Sequence, residues 1–528
     1  MAMTYFAPPK LNRHQITLFA PTLDEMLSED HAARILDELI NKMDLSEFER
    51  NYHGAIGQPP IPPRVIVKVL LYAMSRRTRS SRLIEYALGF HVDFMWLAEG
   101  RQIDHSTLST FRKNHFKALQ SLFRQMGKLA LTMGIIRINE ITFDGTRVRA
   151  NNNPHATLTA EGIEKRLDEL VEELGQWAQE SEQNDQQESS KPKQEIPPEL
   201  QGAKARQKEL EKALEKVRQM DEERKKNRQI DPKKNPAQIP TTDPDSRVMP
   251  NKEGGFAPNF TPVAAVSTHG DFILHADVID SVTEHTEIQA AVDRIEENFG
   301  ERPGAVLADG HFATGANITA FEKTTTELIS PVPNSGTTAV NPANRPDPTV
   351  AVPELEWPNL PISPQNKQLD KSCFIYDEAS DTYYCPMGKP LTYEETKSKP
   401  SASGKMEFSI YRCKVCASCP LNSKCVSTKS KDGRTIQRDK CTEQRERHAA
   451  KMATPERKEQ YQRRLHAGES AFAYIKQVLG VRQFLLRGLD NVKTEWLWAC
   501  ATYNMMKLIN YVAKLRKQLA AELAAEVK

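Results

Sequence analysis

The stretch ITFDGTRVRANN, residues 141–152, places a carboxylate inside a segment that otherwise has the composition of a strand. Ile141 and Phe143 are apolar, and threonines around them favour extended backbone. Packing gives no reason for Asp144 to lie there, because burying a charge costs free energy unless it is paired. A strand carboxylate followed closely by Arg147 suits a metal ion held near phosphate. Taken alone, the stretch fits equally well a strand-end aspartate that turns into a glycine loop.

The length and charge of the chain bound its class. At 528 residues it is too long for one hydrophobic core, so several modules are expected. Charged residues make up 27% and the net charge is +2, so the whole-chain charge does not indicate a nucleic-acid binder. No apolar run approaches about 20 residues, and the first residues lack a signal-peptide pattern. We therefore expect a cytoplasmic protein without a membrane span.

Residues 1–135 have a helical pattern. A helix is predicted after the prolines at 59–63, and a basic turn, SRRTRSSR, separates it from a second helix, LIEYALGF. A third helix is predicted at DHSTLSTFRKNHF, capped by Asp104 or Ser106. Two helices around a basic turn are typical of a DNA-binding helix-turn-helix, and a helical bundle with a solvated basic loop is the alternative. The basic residues of the turn are Arg76, Arg77, Arg79 and Arg82.

A charged insertion occupies residues 157–250. Apolar residues recur at steps of three and four from Ala160 to Trp177 and again over 203–220, which predicts an antiparallel helical hairpin. Residues 179–198 have almost no apolar content and are predicted to be a flexible linker. Dimerisation or DNA contact would be functional roles for this hairpin. A solvated hairpin packed on its own chain is the alternative.

A second strand-end carboxylate follows the insertion. Residues 259–269 and 272–280 predict two strands joined by a turn at Gly270-Asp271, and a helix is predicted over 284–298. The apolar run 305–308 then predicts a central strand that ends at Asp309. Strand ends of mixed α/β sheets are common ligand sites, so two such aspartates favour a metal site. An aspartate that caps a strand-to-helix turn is the alternative.

Five of the eight cysteines lie between residues 385 and 425, after a Pro-rich stretch at 331–367 that predicts an extended linker. In a reducing compartment this clustering favours a metal over disulfides. Four thiolates can hold a structural Zn²⁺ ion, with buried free cysteines or a redox pair as alternatives. The preferred ligands are Cys385, Cys416, Cys419 and Cys425, with Cys413 as the alternative, because Cys385 and Cys419 both precede a proline.

Residues 442–485 are basic and predicted to be helical. Glu469 is predicted near the start of a helix whose apolar face includes Phe472 and Ile475. Lys476 follows two turns later and so points to the same side as Glu469. By itself this pattern is also that of ordinary surface charge. The phosphate-binding donors predicted on this segment are Tyr461, Arg464 and Lys476.

Together these motifs resemble the DDE transposases of bacterial insertion sequences, most closely the IS1182-like branch near the IS4 and IS5 families. The resemblance rests on SSRLIEYAL, DFMWLAEG and DHSTLSTFRKNHF in the N-terminal part, and on DGTRVRANN, DPDSRVM and ADGHFATGANI in the sheet segments. It also rests on the run from Tyr461 to Lys476 and the segment after it. Four residues separate Arg464 from Glu469, where the related IS4 pattern has three. His311 stands where relatives often carry an aromatic or small residue.

The resemblance implies an α/β fold. It consists of an RNase H-like mixed-sheet catalytic core, an N-terminal helical domain, a helical-hairpin insertion and a small cysteine-rich zinc insertion. Asp144 would lie on the first strand, Asp309 on the fourth, and Glu469 on the helix that follows. The corresponding segments are a helical DNA-binding domain at 1–135, core at 136–156, hairpin at 157–250, core at 251–332, linker and zinc module at 333–441, and the final helices at 442–528.

The resemblance also implies an activity, which is metal-dependent cleavage at the ends of the element followed by strand transfer into target DNA. Asp144, Asp309 and Glu469 would hold two Mg²⁺ or Mn²⁺ ions, with Asp144 shared between them. The implied partners are double-stranded DNA, as terminal inverted repeats and as target, and a second copy of the chain in a nucleoid-associated complex. The expected DNA contacts are Arg76, Arg77, Arg79, Arg82, Arg147, Tyr461, Arg464 and Lys476. The alternatives are an RNase H-like nuclease, a non-catalytic DNA-binding derivative and a zinc-stabilised scaffold.

Overall fold

The computed structural model of the chain forms two compact units, residues 1–126 together with 498–528, and residues 127–497. No helix in the described part of the chain is long and apolar enough to cross a membrane. The described residues are 21–52, 60–153, 156–187, 202–226, 235–250, 254–281, 284–332, 341–363, 366–401, 404–427 and 433–526.

The N-terminal unit is helical, as predicted. Helix α3 begins at Pro63, where the missing N–H of proline removes no helical hydrogen bond. Asp104 rather than Ser106 caps the third predicted helix, because its Oδ1 accepts a hydrogen bond from Ser106 N at 2.7 Å. The helices are α1 Ala32–Asn41, α2 Ser46–Glu49, α3 Pro63–Ser75, α4 Ser81–Phe90, α5 Val92–Leu97, α6 His105–Asn114 and α7 Phe116–Thr132.

A mixed sheet forms the centre of the second unit. Its main strands lie in the order β7-β6-β1-β8-β9. β6 pairs antiparallel with both β1 and β7, whereas β8 runs parallel to both β1 and β9. The first half of β6 pairs also with β2 and β5. The strands are β1 Glu140–Gly145, β2 Val148–Arg149, β3 Thr157–Leu158, β4 Ile239–Pro240, β5 Arg247–Pro250, β6 Phe256–Ser267, β7 Ile273–Ile279, β8 Ala305–Leu307 and β9 Glu327–Ile329.

The turn between β6 and β7 lies at Gly270-Asp271, as predicted. Both residues have a positive φ, 86° and 51°, which suits a tight hairpin turn. A Cβ at position 270 would lie 2.4 Å from Ile135 O, so the backbone of the neighbouring segment approaches closely there. Glycine is needed at this position for both reasons, its φ and the close approach.

Gly270→Ala is therefore expected to destabilise the second unit by more than the about 1–2 kcal/mol that a left-handed alanine costs, since a backbone clash is added. Gly300→Ala is the matched control, because Gly300 has φ +75° and a Cβ there would meet nothing within 4 Å. Urea unfolding followed by circular dichroism measures both variants. Equal losses would show that the approach of Ile135 does not constrain the turn.

The predicted helical hairpin is present between β3 and β4, whose antiparallel pairing closes its base. Helices α8 Ala160–Gln187 and α9 Ala203–Lys226 pack through their apolar stripes. The prediction of a flexible linker is wrong for residues 179–187, which continue α8. Glutamine and glutamate are good helix formers, so a polar composition does not end the helix there. The remainder of the predicted linker, 188–198, lies outside the described residues.

Helices α10 Glu287–Phe299 and α11 Gly315–Phe321 flank the sheet segments. The predicted start of α10 at residue 284 is wrong by three residues. Glu284 lies in the connection before the helix, and Glu284 O accepts a hydrogen bond from Glu287 N. This shift leaves Glu284 outside the regular face of the helix.

The cysteine-rich segment forms its own antiparallel sheet of five strands in sequence order. The prediction of an extended linker is wrong for much of residues 341–363, because Ala343, Val352 and Leu360 are buried in the core of this module. The apolar residues spaced among the prolines pack into this core, so the segment is not an extended linker. The elements are β10 Ile375–Asp377, β11 Thr382–Tyr384, β12 Pro390–Ser401, β13 Gly404–Arg412, α12 Asn422–Cys425 and β14 Thr435–Asp439.

Three helices complete the chain, α13 Thr442–Met452, α14 Pro455–Gln477 and α15 Leu489–Glu526. The predicted position of Glu469 near the start of its helix is wrong, since α14 begins fourteen residues earlier at Pro455. Thr454 caps α14 by accepting a hydrogen bond from Arg457 N. A threonine followed by proline is a strong start signal, and it lies upstream of the apolar face that includes Phe472 and Ile475.

Candidate functional site

Asp144 and Asp309 follow neighbouring parallel strands. The register of β1 and β8 pairs Thr142 with Leu307, so each aspartate comes two residues after a paired position. Side chains two residues apart on a strand point to the same face, and paired strands lie about 4.8 Å apart. Both carboxylates therefore belong to one edge and one face of the sheet.

Each aspartate also makes local hydrogen bonds. Asp144 Oδ1 accepts from Gly145 N at 2.8 Å. Asp309 Oδ1 accepts from His311 N at 2.8 Å and caps a short 3-10 turn, so Asp309 does cap a strand-to-helix turn. Capping engages one of its two oxygens, and this is compatible with a further role for the other.

Helix α14 brings Glu469 towards this edge. Ala467, Gly468 and Ala471 are buried, and a Cβ at Gly468 would lie 3.2 Å from Thr142 Oγ1. These small residues allow α14 to pack closely over β1. The side chain of Glu469 is 60% exposed, against 18% for Asp144, so Glu469 lies at the open rim of the site.

Arg464 connects two of the carboxylates. Its Nη1 donates to Asp144 Oδ2 at 3.1 Å, and its Nη2 lies 4.0 Å from Glu469 Oε1. A guanidinium presents several donors in one plane, which suits this bridging position. The extra residue between Arg464 and Glu469 thus does not remove Arg464 from the site.

The three predicted carboxylates are near one another but not gathered around a single point. Ligand atoms from three residues lie within 4.8 Å of one another at only one place in the described chain, formed by Glu85, Asp104 and His105. There, His105 Nδ1 lies 2.9 Å from Glu85 Oε2, and Asp104 also caps α6. Ion pairing and capping account for that cluster. Carboxylates repel one another, so a bound cation would favour their closer approach at the sheet edge.

A further carboxylate that the sequence patterns did not indicate, Glu284, lies beside Asp144. A Cβ at Gly145 would lie 2.0 Å from Glu284 Oε2. Burial raises the pKa of Glu284, the positive charge of Arg147 opposes that rise, and the negative charges of Asp144 and Asp309 add to it. In the sequence, Glu284 had only the pattern of a first helical residue, so no local signal indicated this position.

The other predicted donors of this region contact their own chain. Arg147 donates to Thr261 Oγ1, and its Nη1 lies 3.9 Å from Glu284 Oε2. Tyr461 is half-buried against Met452 and the ends of β8 and β9, with the Arg464 guanidinium 5.7 Å from the centre of its ring. Their role as DNA contacts stays a prediction.

Lys476 holds the segment that follows Asp144. Its Nζ donates to Thr146 Oγ1 and, at 2.8 Å, to Arg147 O. Both acceptors lie in the connection between β1 and β2, which is therefore tied to α14. Lys476 thus contributes to positioning the end of β1.

Lys476→Met is expected to lower the free energy of unfolding by about 1–3 kcal/mol. The hydrogen bonds from a charged donor are lost, while a side chain of similar length is kept. Lys458→Met, at an exposed position on the same helix, is the control. Chemical denaturation measures both. Unchanged stability together with weakened DNA binding would show that Lys476 serves as a DNA contact only.

In the N-terminal unit, the predicted basic turn lies between α3 and α4, except that Arg82 belongs to the first turn of α4. Arg76, Arg77 and Arg82 are exposed, whereas Arg79 is half-buried and its backbone O accepts a hydrogen bond from Arg112 Nη1 at 2.7 Å. Two helices around an exposed basic turn are present as predicted. Binding of DNA by these arginines stays a prediction.

The five clustered cysteines line one small cavity of about 20 Å³. Lys389 N donates to Cys385 Sγ at 3.4 Å, and Arg434 N donates to Cys416 Sγ at 3.5 Å. A hydrogen bond from Cys413 is the main reason that the pKa of Cys385 falls below its usual value, and backbone N–H groups lower it further. Backbone donors and several thiols around one cavity fit a zinc ion, which binds thiolates.

No three of these sulfurs lie within 4.8 Å of one another in the described structure, so a bound ion would have to draw them together. Cys413 lines the cavity together with the four preferred ligands, Cys385, Cys416, Cys419 and Cys425. The structure therefore does not favour the four preferred cysteines over a set in which Cys413 replaces one of them.

Two segments of the chain match known families. Residues 384–509 match the family described as Transposase DDE domain, and residues 21–114 match the family described as Transposase domain (DUF772). The first segment includes the cysteine cluster, Arg464 and Glu469, and the second includes the basic turn. Neither match spans half of the chain. No curated protein matches the chain.

These matches support a transposase function, and a transposase DDE domain implies a metal-dependent enzyme that acts on DNA. The mixed α/β sheet with its flanking helices is compatible with the core of such an enzyme. Asp144 and Asp309 lie outside both matched segments, so their assignment depends on the geometry and on the sequence motifs.

Proposed function

We propose that this chain is a DDE transposase of the IS1182-like type, which cleaves DNA at the ends of an insertion sequence and joins them to target DNA. The observation that carries the proposal is the parallel register of β1 and β8, which sets Asp144 and Asp309 at one sheet edge under the helix of Glu469. The strand order β7-β6-β1-β8-β9 supports an RNase H-like core. Asp144 lies on β1, the first of these five strands in chain order, and Asp309 follows β8, the fourth.

The donors at the sheet edge fit divalent ions such as Mg²⁺ or Mn²⁺. Carboxylate oxygens are the ligands these hard cations prefer. Among the described residues, the buried Glu284 Oε2 beside Asp144 has no hydrogen-bond partner, and a cation there would satisfy it. Asp144, Asp309 and Glu469 would hold the ions. When bound, two such ions supply an activated water and stabilise the leaving oxygen.

The cationic residues of the site orient these carboxylates. Arg464 holds Asp144 Oδ2 and lies against Glu469, so it restrains both side chains and offsets part of their charge. Lys476 restrains the backbone after Asp144. With the acidic side chains engaged by ions, the guanidinium of Arg464 would be available to the phosphate of a DNA end. Phosphate contacts of this kind orient the DNA without reading its sequence.

The remaining parts of the chain are assigned supporting roles. The exposed arginines Arg76, Arg77 and Arg82 would bind the DNA backbone of the terminal repeats. The cysteine module would hold a structural Zn²⁺ ion. Two copies of the chain would act together, since an element has two ends to be joined.

The test is an assay with the purified chain, Mg²⁺ and a plasmid that carries its coding sequence with the flanking DNA on both sides. Cleavage at two flanking positions together with joined products supports the proposal. Cleavage without joined products would instead establish an RNase H-like nuclease. Binding without any cleavage would establish a non-catalytic DNA-binding derivative. Mobility shift and primer extension across the junctions distinguish the three results.

A further inference from the structure

Glu284 lies at the sheet edge because of two local features. The chain leaves β7 at Ile279 and does not enter α10 until Glu287, so Glu284 is in an irregular connection. Its side chain reaches the backbone directly after Asp144, where a Cβ on residue 145 would lie 2.0 Å from Oε2 and 2.6 Å from Cδ. The glycine after Asp144 therefore provides the space that Glu284 occupies.

The surroundings of Glu284 compensate its charge only in part. Among the described residues, Oε2 is buried and has no hydrogen-bond partner. Arg147 Nη1 is 3.9 Å from this oxygen, beyond hydrogen-bond distance, and donates to Thr261 Oγ1. A buried carboxylate oxygen without a donor is costly and requires an explanation. The adjacent carboxylate of Asp144 makes that cost larger.

A surface ion pair does not explain these observations. The side chain of Glu284 is 22% exposed and that of Arg147 is 25% exposed, so neither extends freely into water. If Glu284 served only to form an ion pair with Arg147, a direct hydrogen bond of about 2.8 Å between the two side chains would be expected. A cation between Glu284 and Asp144 would satisfy both carboxylates at once.

We propose that Glu284 is a fourth carboxylate ligand of the metal site at the end of β1, binding an ion together with Asp144. The inference rests on the proposed function, because it adds a ligand to the site assigned there. Glu284 lies in the connection between β7 and α10, a part of the chain that supplies none of the three carboxylates of the DDE set. The class of ligand is a divalent cation that prefers oxygen donors.

Mn²⁺ binding to the full chain, without DNA, tests this inference. The loss of the free Mn²⁺ signal in electron paramagnetic resonance measures the affinity. Glu284→Gln is expected to weaken it by about 10–100-fold, which is the range seen when groups that support a metal are removed. Asp280→Asn is the matched control, since Asp280 follows the same strand and pairs with Arg247, and it is expected to bind Mn²⁺ like the wild type.

Thermal unfolding provides a second readout. Without metal, Glu284→Gln is expected to unfold at the wild-type temperature or above it, because a poorly satisfied charge is removed. The increase in melting temperature on adding Mn²⁺ is expected to shrink. A lower melting temperature without metal, with Mn²⁺ affinity unchanged, would show a structural role and overturn the proposal.

Gly145→Ala is a second variant that keeps every carboxylate. The new methyl group would displace the end of the Glu284 side chain, so the same loss of Mn²⁺ affinity is expected even if Glu284→Gln does not fold. Asp144→Asn distinguishes a failure of the metal site as a whole from a failure of the role of Glu284 in it. If it abolishes Mn²⁺ binding while Glu284→Gln and Gly145→Ala bind normally, the role of Glu284 is wrong and the site stands. If Asp144→Asn also binds normally, the metal site of the proposed function fails.

Discussion

Asp144→Asn is expected to reduce Mg²⁺-dependent cleavage of the element end by at least about 1,000-fold, since the loss of a shared metal ligand removes several kcal/mol of transition-state stabilisation. Asparagine has nearly the same shape and can still accept the hydrogen bond from Gly145 N. The variant removes the charge that both Arg464 and a metal ion would engage. Gel analysis of cleaved ends measures the rate, and circular dichroism checks that the fold is retained.

Asp271→Asn is the matched control for this experiment. It makes the same carboxylate-to-amide change in the β6–β7 turn, where φ is 51°, and asparagine accepts this left-handed conformation readily. Its cleavage rate is expected to equal that of the wild type. Wild-type cleavage by Asp144→Asn would contradict the assignment of Asp144, whatever the result for Asp309 and Glu469.

Removal of the proposed zinc ion is expected to unfold the cysteine module. Structural zinc contributes about 10–16 kcal/mol to the folding of small zinc domains, which is as large as the whole net stability of about 5–15 kcal/mol of an ordinary domain. Cys416→Ser is expected to lower the zinc content of the purified chain from about one ion towards none, because a serine hydroxyl does not replace a thiolate ligand. Elemental analysis measures the zinc, and limited proteolysis over residues 341–439 measures the unfolding.

Cys373→Ser is the control for that change. Cys373 is buried in the same module but does not line the cavity, and its Sγ donates to Pro361 O at 3.4 Å, a bond that serine can keep. Zinc content is expected to be unchanged in this variant. A wild-type chain that contains no zinc, and that resists a chelator without change in proteolysis, would contradict the zinc assignment and favour buried free cysteines.

Regular elements with a clear local signal could be predicted from the sequence. The β6–β7 hairpin was predictable because Gly270-Asp271 accepts the left-handed turn, and the α8–α9 hairpin because its apolar stripes repeat every three or four residues. Predictions from the absence of a signal were weaker. The polar residues 179–187 form helix, and parts of the Pro-rich segment 341–363 are buried.

The candidate site was predictable only in part. Asp144 and Asp309 stand out because a charge interrupts or ends an apolar strand, and this is a local property. Glu469 has no such property, since its exposed position on α14 resembles ordinary surface charge. Its assignment to the site depended on the surrounding motif. The structure adds that Arg464 bridges Asp144 and Glu469.

Local sequence patterns predict the kind of elements in this protein and two of the carboxylates, because hydrophobic periodicity and turn chemistry act over a few residues. Which side chains meet depends on the tertiary contacts. The parallel register of β1 and β8 aligns Asp144 with Asp309, and the small residues of α14 admit the helix that carries Glu469. Glu284 reaches Asp144 through the space above Gly145. Such contacts depend on register and close packing between segments far apart in the chain, and no local pattern encodes them.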